Sequence, residues 1–381
     1  MVPFLDLKAA VSEVRGEIDH AIGRVLDSGQ YILGGEVTAF EEEFAAHCGA
    51  AHCVGVGNGL DALELILRGF DIGAGDEVIV PANTYIATWL AVTAAGASVV
   101  PVEPDAATYN LDPGRVAEAV TARTRAILAV HLFGQSAELG PLREIADKAG
   151  LKLIADAAQS HGARYRRLPT ARWADAEAYS FYPTKNLGAL GDAGGVVTED
   201  AALAGRIRLL RNYGSREKYW HETFGVNSRL DPLQAAILRV KLRHLDAGNT
   251  RRREIARRYL AELDGAGLPQ LILPRVIDDA EPVWHVFAVR HPRRAELQQR
   301  LEAMGIGTLI HYPVPPHRSG AYGGTGFSFP VTEELAATEL SLPMNPQLSD
   351  AQVTEVIESV CRAAGSLAQY GDFARAGGAR G

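Results

Sequence analysis

The stretch Ser180-Phe181-Tyr182-Pro183-Thr184-Lys185-Asn186-Leu187-Gly188-Ala189-Leu190-Gly191-Asp192-Ala193-Gly194-Gly195 decides the fold. The apolar run over residues 176–181 reads as a buried strand. Pro183 cannot continue a central strand, so the run stops there. A single lysine, Lys185, then stands among glycines and small residues. Desolvation disfavours an ammonium ion, so a lysine in a tight, mostly apolar loop has a depressed pKa. Such an amine is a candidate nucleophile for Schiff-base chemistry. Taken alone, the same residue also reads as a loop lysine that reaches for water.

Working outward, the run Leu151-Lys152-Leu153-Ile154-Ala155-Asp156-Ala157-Ala158-Gln159-Ser160-His161-Gly162 lies some thirty residues earlier. Its apolar core reads as a strand with Asp156 at the carboxyl end, where open α/β sheets bind ligands. Small residues after Asp156 would let its carboxylate approach a ring nitrogen; it also reads as a helix N-cap. Pyridoxal phosphate needs this pair of groups: a lysine for its aldehyde and a carboxylate to keep its pyridine nitrogen protonated. Farther upstream, Val54-Gly55-Val56-Gly57-Asn58-Gly59-Leu60-Asp61-Ala62-Leu63 reads as strand, glycine turn and helix start, a place where backbone N–H groups favour a phosphate. The spacing is neither a dinucleotide fingerprint nor a P-loop.

The three pieces, in this order, resemble the DegT/StrS-type sugar aminotransferases among the fold-type I pyridoxal-phosphate enzymes. The resemblance runs from Val2-Pro3-Phe4-Leu5-Asp6-Leu7 to about Ser349. It includes Asp27-Ser28-Gly29-Gln30-Tyr31-Ile32-Leu33-Gly34, Gly75-Asp76-Glu77-Val78-Ile79-Val80-Pro81, Arg211-Asn212-Tyr213-Gly214-Ser215, Asn227-Ser228-Arg229-Leu230-Asp231 and His311-Tyr312-Pro313. Within the family the chain looks most like the enzymes that aminate dTDP-3-keto-deoxyhexoses. The implied fold is α/β: a large domain with a mostly parallel central sheet flanked by helices, plus a smaller C-terminal α/β domain. The implied catalytic residues are Lys185 and Asp156. The resemblance places the cofactor phosphate at Asn58, Gly59, Leu60 and Ser180, its ring hydroxyl at Gln159, and its ring face on Tyr85. It sends Asn227 across to a second subunit's phosphate, so a homodimer with shared sites is expected. Expected substrate contacts are Tyr31, Tyr182, Arg216, Tyr219, His311 and Tyr312. The donor would be L-glutamate and the acceptor a keto sugar nucleotide, in deoxyaminosugar and antibiotic biosynthesis. A 4-keto sugar nucleotide, a keto-inositol, or a non-catalytic sugar-nucleotide-binding role are the alternatives.

The 381 residues suggest more than one folding unit. The expected division is an N-terminal arm over 1–30, a large cofactor-binding domain over 31–246, a small domain over 247–370 and a disordered tail over 371–381. Hydrophobic residues at 47% allow a large core, and a net charge of −8 argues against general nucleic-acid binding. No apolar run would span a membrane, no basic-then-apolar signal opens the chain, and three cysteines fit a reducing cytoplasm. The arm has helical spacing at Val11, Val14, Ile18, Ile22 and Val25. His47, Cys48, His52 and Cys53 bunch together but lack a second pair at zinc spacing, so no metal is expected.

Strands over 77–81, 98–102 and 125–131 alternate with helical patterns, as in a mostly parallel sheet. Residues 211–227 mix cations with Tyr219 and Trp220 and read either as a solvated loop or as a surface that meets a diphosphate. Residues 231–245 read as a helix, and Arg251-Arg252-Arg253 as its successor's wet side. Strands are expected over 284–290 and 308–312, with a helix over 293–304 between them. Arg164-Tyr165-Arg166-Arg167-Leu168-Pro169 lacks the glycine that the resembling proteins carry in this turn, which leaves its shape open. The irregular segment over 317–329 leaves the substrate preference open as well.

Overall fold

The computed structural model describes residues 1–268 and 270–377. Among them the largest sheet has seven strands: β1 (His52–Val56), β2 (Glu77–Pro81), β3 (Ser98–Val102), β4 (Thr124–Val130), β5 (Lys152–Asp156), β6 (Ala176–Ser180) and β7 (Gly194–Thr198). Their spatial order is β1-β7-β6-β5-β4-β2-β3. All neighbours are parallel except β7, which runs against both β1 and β6. Parallel strands need long crossovers, and helices Ile86–Ala94, Pro113–Ala119 and Leu139–Ala149 lie in those from β2 to β3, from β3 to β4 and from β4 to β5. The loop over 181–193, which carries Lys185, joins an antiparallel pair and contains no helix.

Strands β2, β4 and β5 are apolar at successive positions because helices cover both faces of the sheet. Side chains divide between the faces with a period of two. Val78, Leu128 and Ile154 join Leu63, Ile66 and Trp89 on one face. Ile79, Ile127 and Leu153 join Leu142 and Ala146 on the other. A buried ion pair ties helix Gly35–His47 to the end of helix Ala201–Leu210: Arg211 Nη1 lies 2.5 Å from Glu41 Oε1. Both partners also hold β1, through Gly55 N to Glu41 Oε1 at 2.8 Å and Arg211 Nη1 to Gly55 O at 2.6 Å.

A second apolar group forms around helices Leu245–Gly265, Arg294–Ala303 and Asp350–Gly377 and the antiparallel pair Phe287–Arg290 and Glu339–Leu342. Val2 is fully buried in it, with its N–H on Gly305 O and its carbonyl on Gly307 N, both at 2.8 Å. The arm therefore starts in the C-terminal group. It then passes to the large sheet's side, where Ile18, Ala21 and Val25 of helix Arg15–Ser28 pack on Ala236, Ile237 and Val240. Val11, Val14 and Ile22 lie at the margin of the same contact. A division near residue 246 falls in the first turn of helix Leu245–Gly265: Leu245 packs with Phe40 and Phe44, whereas Ile255 and Tyr259 pack with the C-terminal group.

Two local expectations need correction. Residues 308–312 do not form a strand; they make one antiparallel bridge, Leu309 to Ser341. The ladder stops there because the next N–H that could serve it, that of His311, is taken by the Glu339 side chain at 2.6 Å. The strand expected over 284–290 is shorter, Phe287–Arg290, since Trp284 has a left-handed φ of 47°. The final helix spans Asp350–Gly377. Its Ala, Gln and Arg residues favour helix and no proline interrupts it. Residues 378–381 lie outside the described residues.

Candidate active site

The carboxyl ends of the parallel strands converge on one cavity of about 520 Å³. β1 runs into Gly57 and Asn58, whose Oδ1 accepts from Asp61 N at 2.9 Å and so caps helix Gly59–Gly69. This turn is built on close backbone approach. A Cβ at Gly59 would fall 2.7 Å from Ser180 Cβ, and one at Gly194 would fall 2.3 Å from the Asn58 carbonyl. Glycine at both positions lets the helix start, the end of β6 and the start of β7 meet, leaving the first N–H groups of the helix facing the cavity. Asn58, Gly59, Leu60 and Ser180 all line it.

Asp156 closes β5 and is only 8% exposed. Its Oδ1 accepts from Ala158 N at 3.1 Å and its Oδ2 from Thr88 Oγ1 at 2.9 Å. Burial pushes its carboxyl above the usual carboxylate range, and these two donors, Lys185 and His131 pull it back. Lys185 follows Pro183, with its N–H on Tyr182 O at 2.9 Å. Burial lowers its ammonium to about 8, against the pull of Asp156. Three imidazoles are kept neutral first by burial and then by the charge of Lys185: His161 falls to about 3, His311 to about 4 and His285 well below the usual value.

Gln159 accepts from Phe133 N at 2.6 Å and donates to Tyr312 OH at 2.9 Å, which holds a donor-bearing amide and a phenol side by side. Tyr85 precedes helix Ile86–Ala94, is 55% exposed and lines the cavity, its ring 5.2 Å from that of Tyr312. Tyr182 and His311 complete the expected residues that line it.

Tyr31, Arg216, Tyr219 and Asn227 do not line this cavity. Arg216 and Tyr219 belong to an exposed hairpin formed by Ser215–Glu217 and Trp220–His221, where Arg216 Nε lies 3.3 Å from Glu222 Oε1. Asn227 bridges Asn212, and the adjacent Ser228 Oγ accepts from Gly57 N at 2.9 Å. The residues that sequence reasoning missed are Thr84, Thr88, His285 and the imidazole of His161. His161 sits within the run that contains Asp156 and was within reach; His285 is brought in from a hundred residues past Lys185 and left no local trace.

The bunched thiols stay apart from this site. Cys48 ends helix Gly35–His47 and faces Tyr179 OH at 3.7 Å, whereas Cys53 points from β1 into the core. Among the described residues no group of three or more His, Cys, Asp or Glu side chains is placed to hold a metal ion. No helix among them is long and apolar enough to cross a membrane.

The residues fit pyridoxal phosphate. The helix start at Gly59, where only a glycine lets the backbone lie against Ser180, faces the same cavity as a buried carboxylate, a half-buried lysine and an exposed aromatic face.

A sequence model of the DegT/DnrJ/EryC1/StrS aminotransferase family matches residues 12–361. A dTDP-3-amino-3,4,6-trideoxy-alpha-D-glucose transaminase from Streptomyces venezuelae is 56% identical over 362 residues, 94% of this chain and 95% of that one. A dTDP-3-amino-3,6-dideoxy-alpha-D-galactopyranose transaminase from Aneurinibacillus thermoaerophilus is 53% identical over 363 residues, 95% and 99% of the two chains. The crystal structure of DesV from S. venezuelae in complex with a ketimine intermediate superposes with a TM-score of 0.93 at 56% identity, covering 95% of this chain and 98% of that one.

Proposed function

The chain belongs to the DegT/DnrJ/EryC1/StrS aminotransferase family, and from that membership we propose that it moves an amino group from L-glutamate to the C3 ketone of a dTDP-linked 3-keto-deoxyhexose. It is a transaminase and its cofactor is pyridoxal phosphate. The observation that carries the reading is that Lys185 and Asp156 face one cavity at the carboxyl edge of the sheet, beside the helix start at Gly59. The choice of C3 rests on the two relatives above, both named for 3-amino sugars on dTDP and both more than half identical over nearly the whole chain.

Bound pyridoxal phosphate supplies an aldehyde for the lysine and an electron sink for the carbanion of the substrate. Asn58, Gly59, Leu60 and Ser180 would hold its phosphate at the helix N-terminus. Asp156 would keep its ring nitrogen protonated, Gln159 would meet its ring hydroxyl, and Tyr85 would cover its ring. With the cofactor held, the Lys185 amine would act as the base that removes the proton from the donor's α-carbon and, in the second half of the reaction, as the acid that returns a proton at C3 of the sugar. A lysine near 8 has an appreciable neutral fraction at neutral pH, which suits an acid–base group of this kind.

We further propose a homodimer with shared sites, in which Asn227 of each chain serves the cofactor phosphate of the other. The exposed hairpin supports this, since Arg216, Lys218 and Tyr219 would meet the diphosphate of a sugar nucleotide bound to the second chain. Tyr31, exposed in the turn after the arm, is proposed as a substrate contact from the same side, and Tyr182, His311 and Tyr312 as contacts from within the cavity. A cytoplasmic location is proposed on the strength of three unpaired cysteines, two of them buried.

The test mixes purified protein with L-glutamate and either dTDP-3-keto-6-deoxyglucose or its 4-keto isomer, and follows the cofactor spectrum and product masses. Amination of the 3-keto sugar is expected. Amination of the 4-keto isomer alone would overturn the substrate. Conversion of the cofactor by glutamate with neither sugar consumed would point to another ketone, a keto-inositol first. Lys185→Ala is expected to bind the cofactor and fail to turn over; near-normal turnover would overturn the mechanism.

A further inference from the structure

Asp156 lies at the end of a chain of hydroxyl groups that its role as a ring-nitrogen partner does not account for. Thr88 is fully buried in the first turn of helix Ile86–Ala94, and its Oγ1 donates to Asp156 Oδ2 at 2.9 Å. The same oxygen lies 2.8 Å from Oγ1 of Thr84, which is buried as well. A hydroxyl carries one proton, and an ionised carboxylate only accepts. With Asp156 ionised, the Thr88 proton is committed to it, and Thr84 is then the donor to Thr88. The chain runs one way, from Thr84 through Thr88 to the carboxylate, each link polarising the next.

Among the described residues the other carboxylate oxygen has a single donor, Ala158 N. Without Thr88, Oδ2 would lose the one hydrogen bond that the described residues give it in a buried site, and such a loss raises a carboxyl pKa further. The charged and titratable groups that act on Asp156 from the neighbouring elements are Lys185 after β6 and His131 after β4, while Asp156 in turn acts on Tyr312 from the segment before Pro313. His131 is committed elsewhere: Nδ1 accepts from Ala137 N at 3.2 Å and Nε2 faces Glu177 Oε1 at 3.4 Å.

We propose that the Thr84–Thr88 hydroxyl pair holds Asp156 ionised against its burial and thereby sets the protonation of the cofactor's ring nitrogen. The proposal rests on the cofactor reading above. Thr88 acts through Asp156 and is a positioning residue; Thr84 acts through Thr88.

The test uses holoenzymes of Thr88→Val, which keeps the shape and removes the donor, Thr88→Ser, which restores it, and Thr84→Val. The visible spectrum of the bound cofactor is recorded between about pH 5 and pH 10, a span that brackets the ordinary carboxylate-to-lysine range. A ring nitrogen without its proton no longer repels a proton on the lysine-bound nitrogen. The pH of the spectral change in Thr88→Val is thus expected to rise by about one unit or more, the value of a hydrogen bond to a charged group. Thr88→Ser should match the wild type, and Thr84→Val should move the same way by less. Coincident titrations for Thr88→Val and wild type would overturn the proposal. Should Thr88→Val not fold, an unshifted Thr84→Val overturns it instead. Wild-type protein with no cofactor band would overturn the cofactor reading and this proposal together, whereas a normal wild type with unshifted variants overturns the hydroxyl pair alone.

Discussion

Lys185 is a lysine whose surroundings make it reactive before any substrate arrives. Burial brings its ammonium from 10.5 to about 8, and Asp156 limits the fall. Only the neutral amine attacks an aldehyde. For apoprotein taking up pyridoxal phosphate, the rate is expected to rise about tenfold per pH unit up to about 8 and then level off. Stopped-flow absorbance on cofactor-free protein checks this. A rate still climbing tenfold between about pH 9 and 10 would mean a lysine of ordinary basicity. At this scale Lys185 and Asp156 were legible because each stands at an abrupt change from apolar strand to small residues. Thr88 and His285 were not, because a threonine inside a helix or a histidine in a loop becomes informative only when the carboxylate or amine it faces is known.

The hairpin between Arg164–Tyr165 and Leu168–Pro169 answers at the scale of an element the question that its missing glycine raised. The pairing Tyr165 to Leu168 leaves a two-residue turn, and both central residues are left-handed: Arg166 at φ 49° and Arg167 at φ 66°. Such a turn matches the twist of the strands and normally takes Asn or Gly. Arg166 is held in it by Asp279 at 2.7 Å and lies over the rings of Tyr165 and Trp173. Among the described residues Arg167 has no such tie, and its backbone carbonyl alone is used, by Arg164 Nη1 at 3.1 Å. Arg167→Gly is therefore expected to stabilise the protein by a few tenths to about 1 kcal/mol, the left-handed cost of a side chain less the added flexibility of glycine. Thermal or urea unfolding reads it; a lower midpoint would show that the arginine side chain does more than occupy the turn. The lost strand over 308–312 belongs to the same scale. Its residue pattern was that of a strand, and a side chain from another element, Glu339, took the N–H that pairing required.

Across the whole molecule, the hairpin and loop after β7 stand away from the core with their aromatic side chains outward. Tyr219 is 81% exposed, Trp220 73% and Phe224 93%. A cluster of exposed aromatics of this kind marks an interaction surface, and the proposed dimer would cover it. Sedimentation at micromolar concentration is expected to show a dimer. Trp220→Ala with Phe224→Ala should shift it toward monomer and lower activity in parallel, while leaving each chain folded. A fully active double variant that sediments as monomer would remove the shared-site proposal.

The sequence by itself determined the alternation of strands and helices, the lysine and aspartate at strand ends, and the glycine turn before a helix. Each depends on neighbours within a few residues: apolar period, a proline that stops a strand, a glycine where backbones approach. The family resemblance then joined these pieces into one expectation. Tertiary structure alone decided what closes around them. It threaded Val2 into the C-terminal group, brought Tyr312 onto Gln159, ranged three neutral imidazoles about Lys185 and set Thr88 beneath Asp156. Contacts between residues tens to hundreds of positions apart leave no period and no local composition to read; they exist because burial of the apolar faces fixes which segments meet, and polar groups at those junctions must then find partners in place of water.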